Sequence, residues 1–277
     1  MLADPAFDWL ADLPLAPGAP DLRMGTRSLD EADWLTVDSY AAAERELRAS
    51  LLAEHPDHAQ LLDGHGDALG ELIELVETHR GESLATGPDV DGVPTQLSDL
   101  AVSIVEDVLL LAHSEDHWYL AGGVLLFPDQ WNLTQKLGLS IADVHGPVAG
   151  YGELLEARVD QFFDRLTVGQ LVRRRNWFIH DCAEHFLPGH ITPKALTEPD
   201  DVDSLWLRSE RQTLRRLDRS GAIVFTVKTQ FAPMGELRAR PQVASDMVEF
   251  LTLASPRSLV NKDVEGRADA VVGYLRS

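Results

Sequence analysis

The chain has 277 residues and a formal net charge of −21, with 44% hydrophobic and 25% charged residues. This composition is ordinary for a globular protein with a buried core, in one large domain or two small ones. The acidic balance argues against broad binding to nucleic acid or to an anionic membrane, because phosphate groups attract concentrated Lys and Arg. The single cysteine, Cys182, excludes an internal disulfide and a cysteine-cage metal site.

The N-terminal segment has neither a membrane-spanning nor a secretory pattern. No apolar run in the chain approaches the roughly 20 residues that cross a bilayer. The first residues, MLADPAFDWLADLP, are acidic where a secretory signal would be basic and then apolar, so we expect a cytoplasmic protein. Residues 1–22 contain four prolines and are predicted to form an extended lead-in on the surface.

Two packing helices are predicted next, at Tyr40–Glu54 and Asp67–His79, from their helical spacing of apolar residues. Four histidines lie in and around them. None of these histidines has the i, i+4 partner on one helix face that a zinc-protease motif requires, so we predict no metal site here. The four are His55, His58, His65 and His79.

The middle of the chain changes to strand-like patterns. Aliphatic runs at Val102–Leu111 and Trp118–Phe127 predict a β-hairpin, with a bulge or a close backbone approach at Gly122. Gln130–Leu139 is predicted to be a short helix, and a loop carrying His145 follows it.

The following segments return to a helix and then a strand. Gly152–Leu166 has the apolar pattern of an amphipathic helix, and Val172–Ile179 is predicted to be a strand. Two further helices, Ala244–Leu253 and Val264–Leu275, are predicted near the C-terminus.

The stretch from Leu205 to Met234 combines a highly charged segment with an apolar one. Ser209–Leu217 fits a short helix, because Ser209 and Gln212 form a capping box. It also fits a β-hairpin that turns at Asp218–Gly221 into a β-branched run, and we favour the hairpin. In the hairpin, alternation puts Trp206, Arg208, Glu210, Gln212 and Leu214 on one face, and Leu207, Ser209, Arg211, Thr213 and Arg215 on the other.

The order of elements predicts an α+β fold. Two strands, a helical interlude and three strands is the layout of a PAS-type domain, in which small helices close a pocket on one face of an antiparallel sheet. Other α+β folds also satisfy this order.

Familiar catalytic motifs are absent from the sequence, which has no P-loop, GxGxxG, GxSxG, HExxH or kinase signature. Nucleophilic catalysis by Cys182 is unsupported, because no base stands at a meaningful spacing. His180 and His185 are interpreted as polar residues at a helix N-terminus. The basic clusters Arg173–Arg175 and Arg208–Arg219 fit either solvated faces or sites for the carboxylates or phosphates of a small molecule.

His145 precedes a Gly-Pro pair in a constrained loop, where a large planar ligand has room beside the glycine. A histidine that hydrogen-bonds a neighbouring backbone group in a turn fits the same spacing. Imidazole ligates haem iron and basic side chains neutralise propionates, so His145 with Arg208, Arg211 or Arg215 forms a haem hypothesis.

Five stretches in order resemble the haem-dependent oxidative N-demethylase family, specifically its haem-bearing α subunit. They are MGTRSLDEADWLTVDSYAAAERELRASLLAEHPD, IVEDVLLL, WNLTQKLGLSIADVHGPVAGY, RRRNWFI and LRSERQTLRRLDRSGAIVFTVKTQF. The resemblance runs from about Arg23 to the C-terminus. It implies a PAS-like antiparallel sheet with a haem pocket at residues 96–235. Residues 1–95 would be an N-terminal extension with packing helices, and residues 236–277 a C-terminal helical extension.

The family resemblance also implies a reaction. A haem b enzyme would use O₂ to oxidise a small methylated amine such as dimethylamine and release formaldehyde. Electrons would come from partner subunits that carry flavin and an iron–sulfur cluster. One cysteine cannot bind a four-thiolate cluster, so the chain would need a separate reductase. The alternatives are a haem-binding PAS-type sensor without turnover and a structural subunit with an empty pocket.

The matching motifs imply roles for individual residues. His145 would be the proximal haem ligand, Glu210 a pocket carboxylate that holds an alkylammonium ion and assists proton delivery, and Asn176 and Trp177 pocket walls. Candidate propionate partners are Arg208, Arg211 and Arg215. The chain departs from the family pattern at Ala149 and Asp218, where the pattern has proline, and at Asn261-Lys262, where it has a Tyr-Lys-like pair.

Overall fold

The computed structural model describes residues 5–16, 23–193, 196 and 199–277. Seven strands, numbered in chain order, form one antiparallel sheet in the order β1-β5-β6-β7-β3-β4-β2. Helices cover both faces of the sheet, so the predicted α+β class is confirmed. The strands are β1 (Arg27–Ser28), β2 (Ala59–Leu61), β3 (Asp107–His113), β4 (Trp118–Val124), β5 (Leu171–His180), β6 (Trp206–Arg216) and β7 (Ile223–Pro233).

Eleven α-helices lie in the described part of the chain. They are α1 (Ala41–Glu54), α2 (Gly66–Arg80), α3 (Thr95–Ser103), α4 (Leu133–Lys136), α5 (Ile141–Val144), α6 (Tyr151–Leu154), α7 (Glu156–Arg165), α8 (Met234–Arg238), α9 (Pro241–Leu253), α10 (Pro256–Val260) and α11 (Ala268–Arg276). Short 3₁₀ segments occur at Pro5–Asp12, Glu31–Asp33, Pro56–His58 and Pro199–Ser204. None of the described helices is long and apolar enough to cross a membrane.

The hairpin predicted for the charged stretch is confirmed, because Ser209–Arg216 lies in β6 and not in a helix. Strands β6 and β7 pair along their whole length. The turn between them closes with a hydrogen bond from Leu217 N–H to Ala222 O at 2.8 Å. Gly221 has a φ of 70°, a conformation that glycine adopts without strain.

The first hairpin also forms, but it is shorter than predicted. Residues 95–103 are helix α3, so the aliphatic run at Val102 begins in a helix and β3 starts only at Asp107. The close approach predicted at Gly122 is confirmed: a Cβ atom there would lie 2.6 Å from the carbonyl oxygen of Gln60 in edge strand β2. The extended lead-in was wrong for Pro5–Asp12, which forms a 3₁₀ segment whose Leu10 is buried.

The two faces of the sheet carry different layers. Face A, defined by Arg174, Glu210 and Leu214, is covered by α5, α6 and α7 through Ile141, Tyr151, Val159 and Phe163. Face B, defined by Trp177 and Val224, packs on two groups of helices. Helices α1 to α3 contribute Leu52, Leu72 and Leu100, and the C-terminal helices contribute Met247 and Val271. The division of the chain at residues 95 and 235 stays a prediction.

Candidate functional site

A group of polar side chains lies on face A where β5 and β6 run side by side. Antiparallel register places Arg174 opposite Gln212, and Asn176 opposite Glu210. Directly paired residues share a face, so all four side chains project to the same side. Glu210 Oε2 accepts a hydrogen bond from Gln212 Nε2 at 2.9 Å. Each of the four is partly exposed, whereas their neighbours on face B are mostly buried.

Glu210 is the carboxylate at the centre of this group. Burial raises its pKa above the ordinary value, and the negative charge of Asp129 adds to the effect. The pKa is lowered by the charges of Arg208 and Arg174 and by the hydrogen bond from Gln212, but by less than burial raises it. A carboxylate whose charge is poorly solvated interacts strongly with a cation that enters the same space.

Lys262 joins the group from the C-terminal segment, where its ammonium donates a hydrogen bond to Asn176 Oδ1. Burial lowers the pKa of Lys262 to about 7; Arg174 adds to the shift, while Glu210 opposes it. The backbone fixes this segment to the edge of β5, because Ile179 N–H donates to Lys262 O at 3.1 Å. An amine with a pKa near neutrality can both hold and release a proton under physiological conditions.

Arg174 connects the sheet to the helical layer. Burial lowers its pKa, while the charge of Glu210 opposes the shift. Its Nε is buried and has no hydrogen-bond partner among the described residues. The positive charge of Arg174 also lowers the pKa of His145. An unpaired buried donor is costly, so the position favours an anionic ligand group.

His145 lies at the end of α5 and belongs to the helical layer over face A. Its Nδ1 is 2.9 Å from Ile141 O, and a carbonyl oxygen only accepts, so Nδ1 carries the proton. Its ring stacks on Tyr151 with centroids 4.5 Å apart and planes at 6°. Burial lowers the pKa of His145, which favours the neutral imidazole. Nε2 is therefore left with a lone pair that can bind a metal ion.

Two of the predicted propionate partners lie on face B. Arg211 donates to the carbonyl oxygens of Asp33 and Trp34, the second at 3.1 Å. Arg215 pairs with Glu31 at 2.7 Å, and its guanidinium lies 4.5 Å from the ring centroid of Trp34. The β-sheet separates both arginines from His145 and Glu210, so we leave them out of the site proposed below.

Two other predicted residues are part of the protein interior. Arg208 is on face A but fully buried, and it donates to the backbone oxygens of residues 127, 128, 184 and 185 at 2.7–3.4 Å. Trp177 is fully buried on face B, 5.3 Å from the ring of Phe250. Both side chains are thus enclosed by the protein, although Arg208 Nε and Trp177 Nε1 have no hydrogen-bond partner among the described residues. From the predicted set, the structure thus places Asn176 opposite Glu210 in the sheet and His145 in the helical layer over the same face, with Arg174 acting electrostatically on both His145 and Glu210.

The chemistry of face A matches what a haem requires. The imidazole of His145 would hold the haem iron through its unprotonated nitrogen, and Arg174 would offer an unpaired donor to a propionate carboxylate. Partly exposed apolar side chains in the same cluster would provide the walls for a porphyrin: Met24, Trp131, Val144, Val148, Phe162 and Phe225.

Sequence reasoning missed two residues of this site as functional residues. Arg174 was predicted only as one member of a basic cluster. The alternation of side chains along β5 could have separated it from Arg173 and Arg175, which lie on the other face and pair with Asp12. Lys262 lies 86 positions from Asn176 in a segment without periodicity, so no local pattern could place it here.

A family model supports the same interpretation. The model described as haem-dependent oxidative N-demethylase, alpha subunit-like, matches residues 77–272, more than half of the chain. The matched range contains His145, Arg174, Glu210 and Lys262. The family is one of haem-dependent oxidative enzymes, and the resemblance predicted from sequence is confirmed. The chain belongs to the haem-dependent oxidative N-demethylase, alpha subunit-like family.

Proposed function

We propose that the protein is the haem-bearing subunit of an oxidative N-demethylase that acts on a small methylated amine such as dimethylamine. In the overall reaction, one atom of O₂ ends in formaldehyde and the other in water. Two electrons and two protons are consumed for each methyl group removed. The observation that carries the proposal is that Arg174 on face A acts electrostatically on both the Nδ1-protonated His145 and the carboxylate of Glu210.

The fold supports a PAS-like core. Strands β3 and β4 precede a run of short helices, and β5, β6 and β7 follow it, all in one antiparallel sheet. The short helices α5 to α7 cover face A, which is where a PAS-like pocket would lie. Residues 96–235 would then form the haem-binding core.

His145 would hold the haem through Nε2, and Arg174 would pair with a propionate. When bound, haem would supply the redox centre at which O₂ is reduced and the amine oxidised. The hydrogen bond from Nδ1 to Ile141 O fixes the imidazole tautomer and its orientation. Asn176, held by Lys262, would line the same space.

Glu210 would bind the substrate as an alkylammonium ion. Its carboxylate is poorly solvated, so its interaction with a cation is stronger than at an exposed position. Gln212 fixes the orientation of Oε2. Lys262, with a pKa of about 7, would exchange protons with this carboxylate near neutral pH.

Electrons would come from a separate reductase with flavin and an iron–sulfur cluster. The chain contains one cysteine, which is too few for a four-thiolate cluster. A cytoplasmic location is part of the same proposal.

The decisive experiment is an absorption spectrum, followed by an activity assay. We expect a Soret band in the purified protein or after addition of haemin. His145→Ala should lose or shift this band, while the exposed His190→Ala control should keep it. With dimethylamine, O₂ and a competent reductase, the wild type should release formaldehyde.

Each failure has a distinct meaning. A protein that stays colourless with haemin contradicts the proposal and favours a structural subunit. Haem binding without product from any methylated amine favours a sensor. Unchanged spectra in His145→Ala would show that another residue holds the haem.

A further inference from the structure

Three side chains outside the site described above converge from separate parts of the chain. His180 ends β5, Asp129 follows β4, and Asp263 lies between α10 and α11. His180 Nε2 is 3.5 Å from Asp129 Oδ1 and 3.3 Å from Asp263 Oδ2. The ligand atoms of all three residues lie within 4.8 Å of one another.

This cluster is mostly buried, and some of its polar atoms are unsatisfied. The side chains of His180 and Asp129 are each 4% exposed, and that of Asp263 is 19% exposed. Both ring nitrogens of His180 and Oδ1 of Asp129 have no hydrogen-bond partner among the described residues. Buried polar groups without partners cost free energy, so such a group indicates a ligand or a functional role.

The distances between these atoms distinguish direct hydrogen bonds from shared coordination of a metal ion. A protonated imidazole bridging two carboxylates would form charge-assisted hydrogen bonds of about 2.7–2.9 Å. The distances of 3.3 and 3.5 Å are longer than that. Two ligand atoms about 2.1 Å from a tetrahedral zinc ion are roughly 3.4 Å apart. The observed distances therefore fit ligands that surround an ion.

We propose that Asp129, His180 and Asp263 form a binding site for a divalent transition-metal ion, with Zn²⁺ as the best match. One imidazole and two carboxylates are ligands that Zn²⁺ accepts, and three protein ligands leave a fourth position for water. An oxygen-seeking ion such as Mg²⁺ is disfavoured by the imidazole.

The surrounding side chains determine which oxygens of the two carboxylates remain available for the ion. Gln130 Nε2 donates to Asp263 Oδ2 at 2.7 Å, which uses one lone pair and leaves the other. Arg208 Nε lies 3.7 Å from Asp129 Oδ2, so Oδ1 is the oxygen left for the ion. Gln130 and Asp263 both have positive φ, 60° and 54°, so the backbone holds each in an uncommon conformation.

The site would fasten three segments that surround the proposed catalytic pocket. Asp263 directly follows Lys262, and Asp129 influences the pKa of Glu210 electrostatically. A bound ion would neutralise Asp129 and fix the C-terminal segment against β5. The inference does not depend on haem binding or on demethylase activity.

The test uses the full-length protein after removal of any affinity tag and treatment with a chelator. Titration with ZnCl₂ should show one Zn²⁺ per chain by calorimetry, and the melting temperature should rise with zinc. MgCl₂ should produce neither effect. Elemental analysis reads zinc separately from iron, so bound haem does not interfere.

Two site variants and two matched controls complete the test. Asp263→Asn and His180→Gln should weaken zinc binding at least about tenfold. The exposed controls His190→Gln and Asp269→Asn should bind like the wild type. Asp263→Asn is nearly isosteric and partly exposed, so it should fold even if His180→Gln does not. No zinc binding by the wild type, or equal binding by Asp263→Asn and the controls, would overturn the proposal.

Discussion

The side-chain amide of Asn261 forms a reciprocal pair of hydrogen bonds with the backbone of Ala149. Its Oδ1 accepts from Ala149 N–H and its Nδ2 donates to Ala149 O, both at 3.2 Å. The resemblance implies proline at the first position and a tyrosine-like residue at the second. Proline has no N–H to donate, so the Asn261 amide and the Ala149 backbone are a chemically matched pair that this implied pattern would lack. Together they tie the loop after His145 to the C-terminal segment.

The first prediction concerns this pair. Asn261→Ala should reduce the free energy of unfolding by about 1–3 kcal/mol, because it leaves two backbone groups unpaired. In an Ala149→Pro background the same change should cost less, since one of the two bonds is already absent. Urea denaturation of the four proteins in this double-mutant cycle measures the coupling. Strictly additive effects would contradict the matched-pair interpretation.

The central sheet was accessible from sequence, because its strands are long and strongly patterned. Alternation and the turn sequence at Asp218–Gly221 predicted the β6–β7 hairpin, and the structure has it with the expected faces. The edge strands β1 and β2 have two and three residues, which is too short for alternation to register. Helix α3 was hidden because its aliphatic residues run directly into those of β3.

The candidate site was only partly accessible, because its residues meet through long-range packing. The predicted faces of β6 already put Glu210 and Arg211 on opposite sides of the sheet, so one pocket could not use both. Lys262 and Asp129 lie in segments without periodicity, and only the tertiary fold brings them near β5 and β6. Arg208 was predicted to bind a propionate, because a charge pattern in the sequence cannot show that backbone carbonyl oxygens already surround the side chain.

The second prediction concerns the pH dependence of stability due to Glu210. Burial raises its pKa above the ordinary 4.5, so the folded protein keeps a proton that the unfolded chain has already lost. Stability therefore falls as pH rises from 4.5 through the folded-state pKa. Glu210→Gln should not lose stability in this way. Its free energy of unfolding should therefore increase relative to that of the wild type across the window.

Thermal or urea unfolding between pH 4 and pH 8 measures this difference, with the exposed Glu265→Gln as a control that should follow the wild type. The same Glu210 variant should load haem normally and lose amine turnover. A more stable but inactive variant is expected where an enzyme keeps an unfavourably buried charge for function. Normal turnover in Glu210→Gln would reduce this residue to a structural partner of neighbouring arginines.

The third prediction concerns Lys262, whose pKa is lowered from 10.5 to about 7. Between these values the unfolded chain holds a proton that the folded protein has released. Stability should therefore rise with pH in this window because of this residue. Lys262→Met removes that contribution. The free energy of unfolding of the wild type should therefore increase relative to that of the variant between pH 7 and pH 9. Parallel curves for the two proteins would contradict the shifted pKa, and Lys136→Met provides a control for the loss of one lysine.

The fourth prediction separates the two faces of the sheet as haem sites. Arg174 is on face A, in the same group as Glu210, whereas Arg215 is on face B with its Nη1 paired with Glu31; the Nε of each arginine is buried without a hydrogen-bond partner among the described residues. Losing a charge-assisted bond to a propionate should accelerate haem release from Arg174→Gln by about tenfold or more. Arg215→Gln should leave haem release unchanged and cost about 0.2–1 kcal/mol of stability, as expected for a half-exposed ion pair. Transfer of haem to an excess of a haem-free globin measures both rates. Faster release from Arg215→Gln alone would place the haem on face B. It would then contradict the ligand role proposed for His145, which lies over face A.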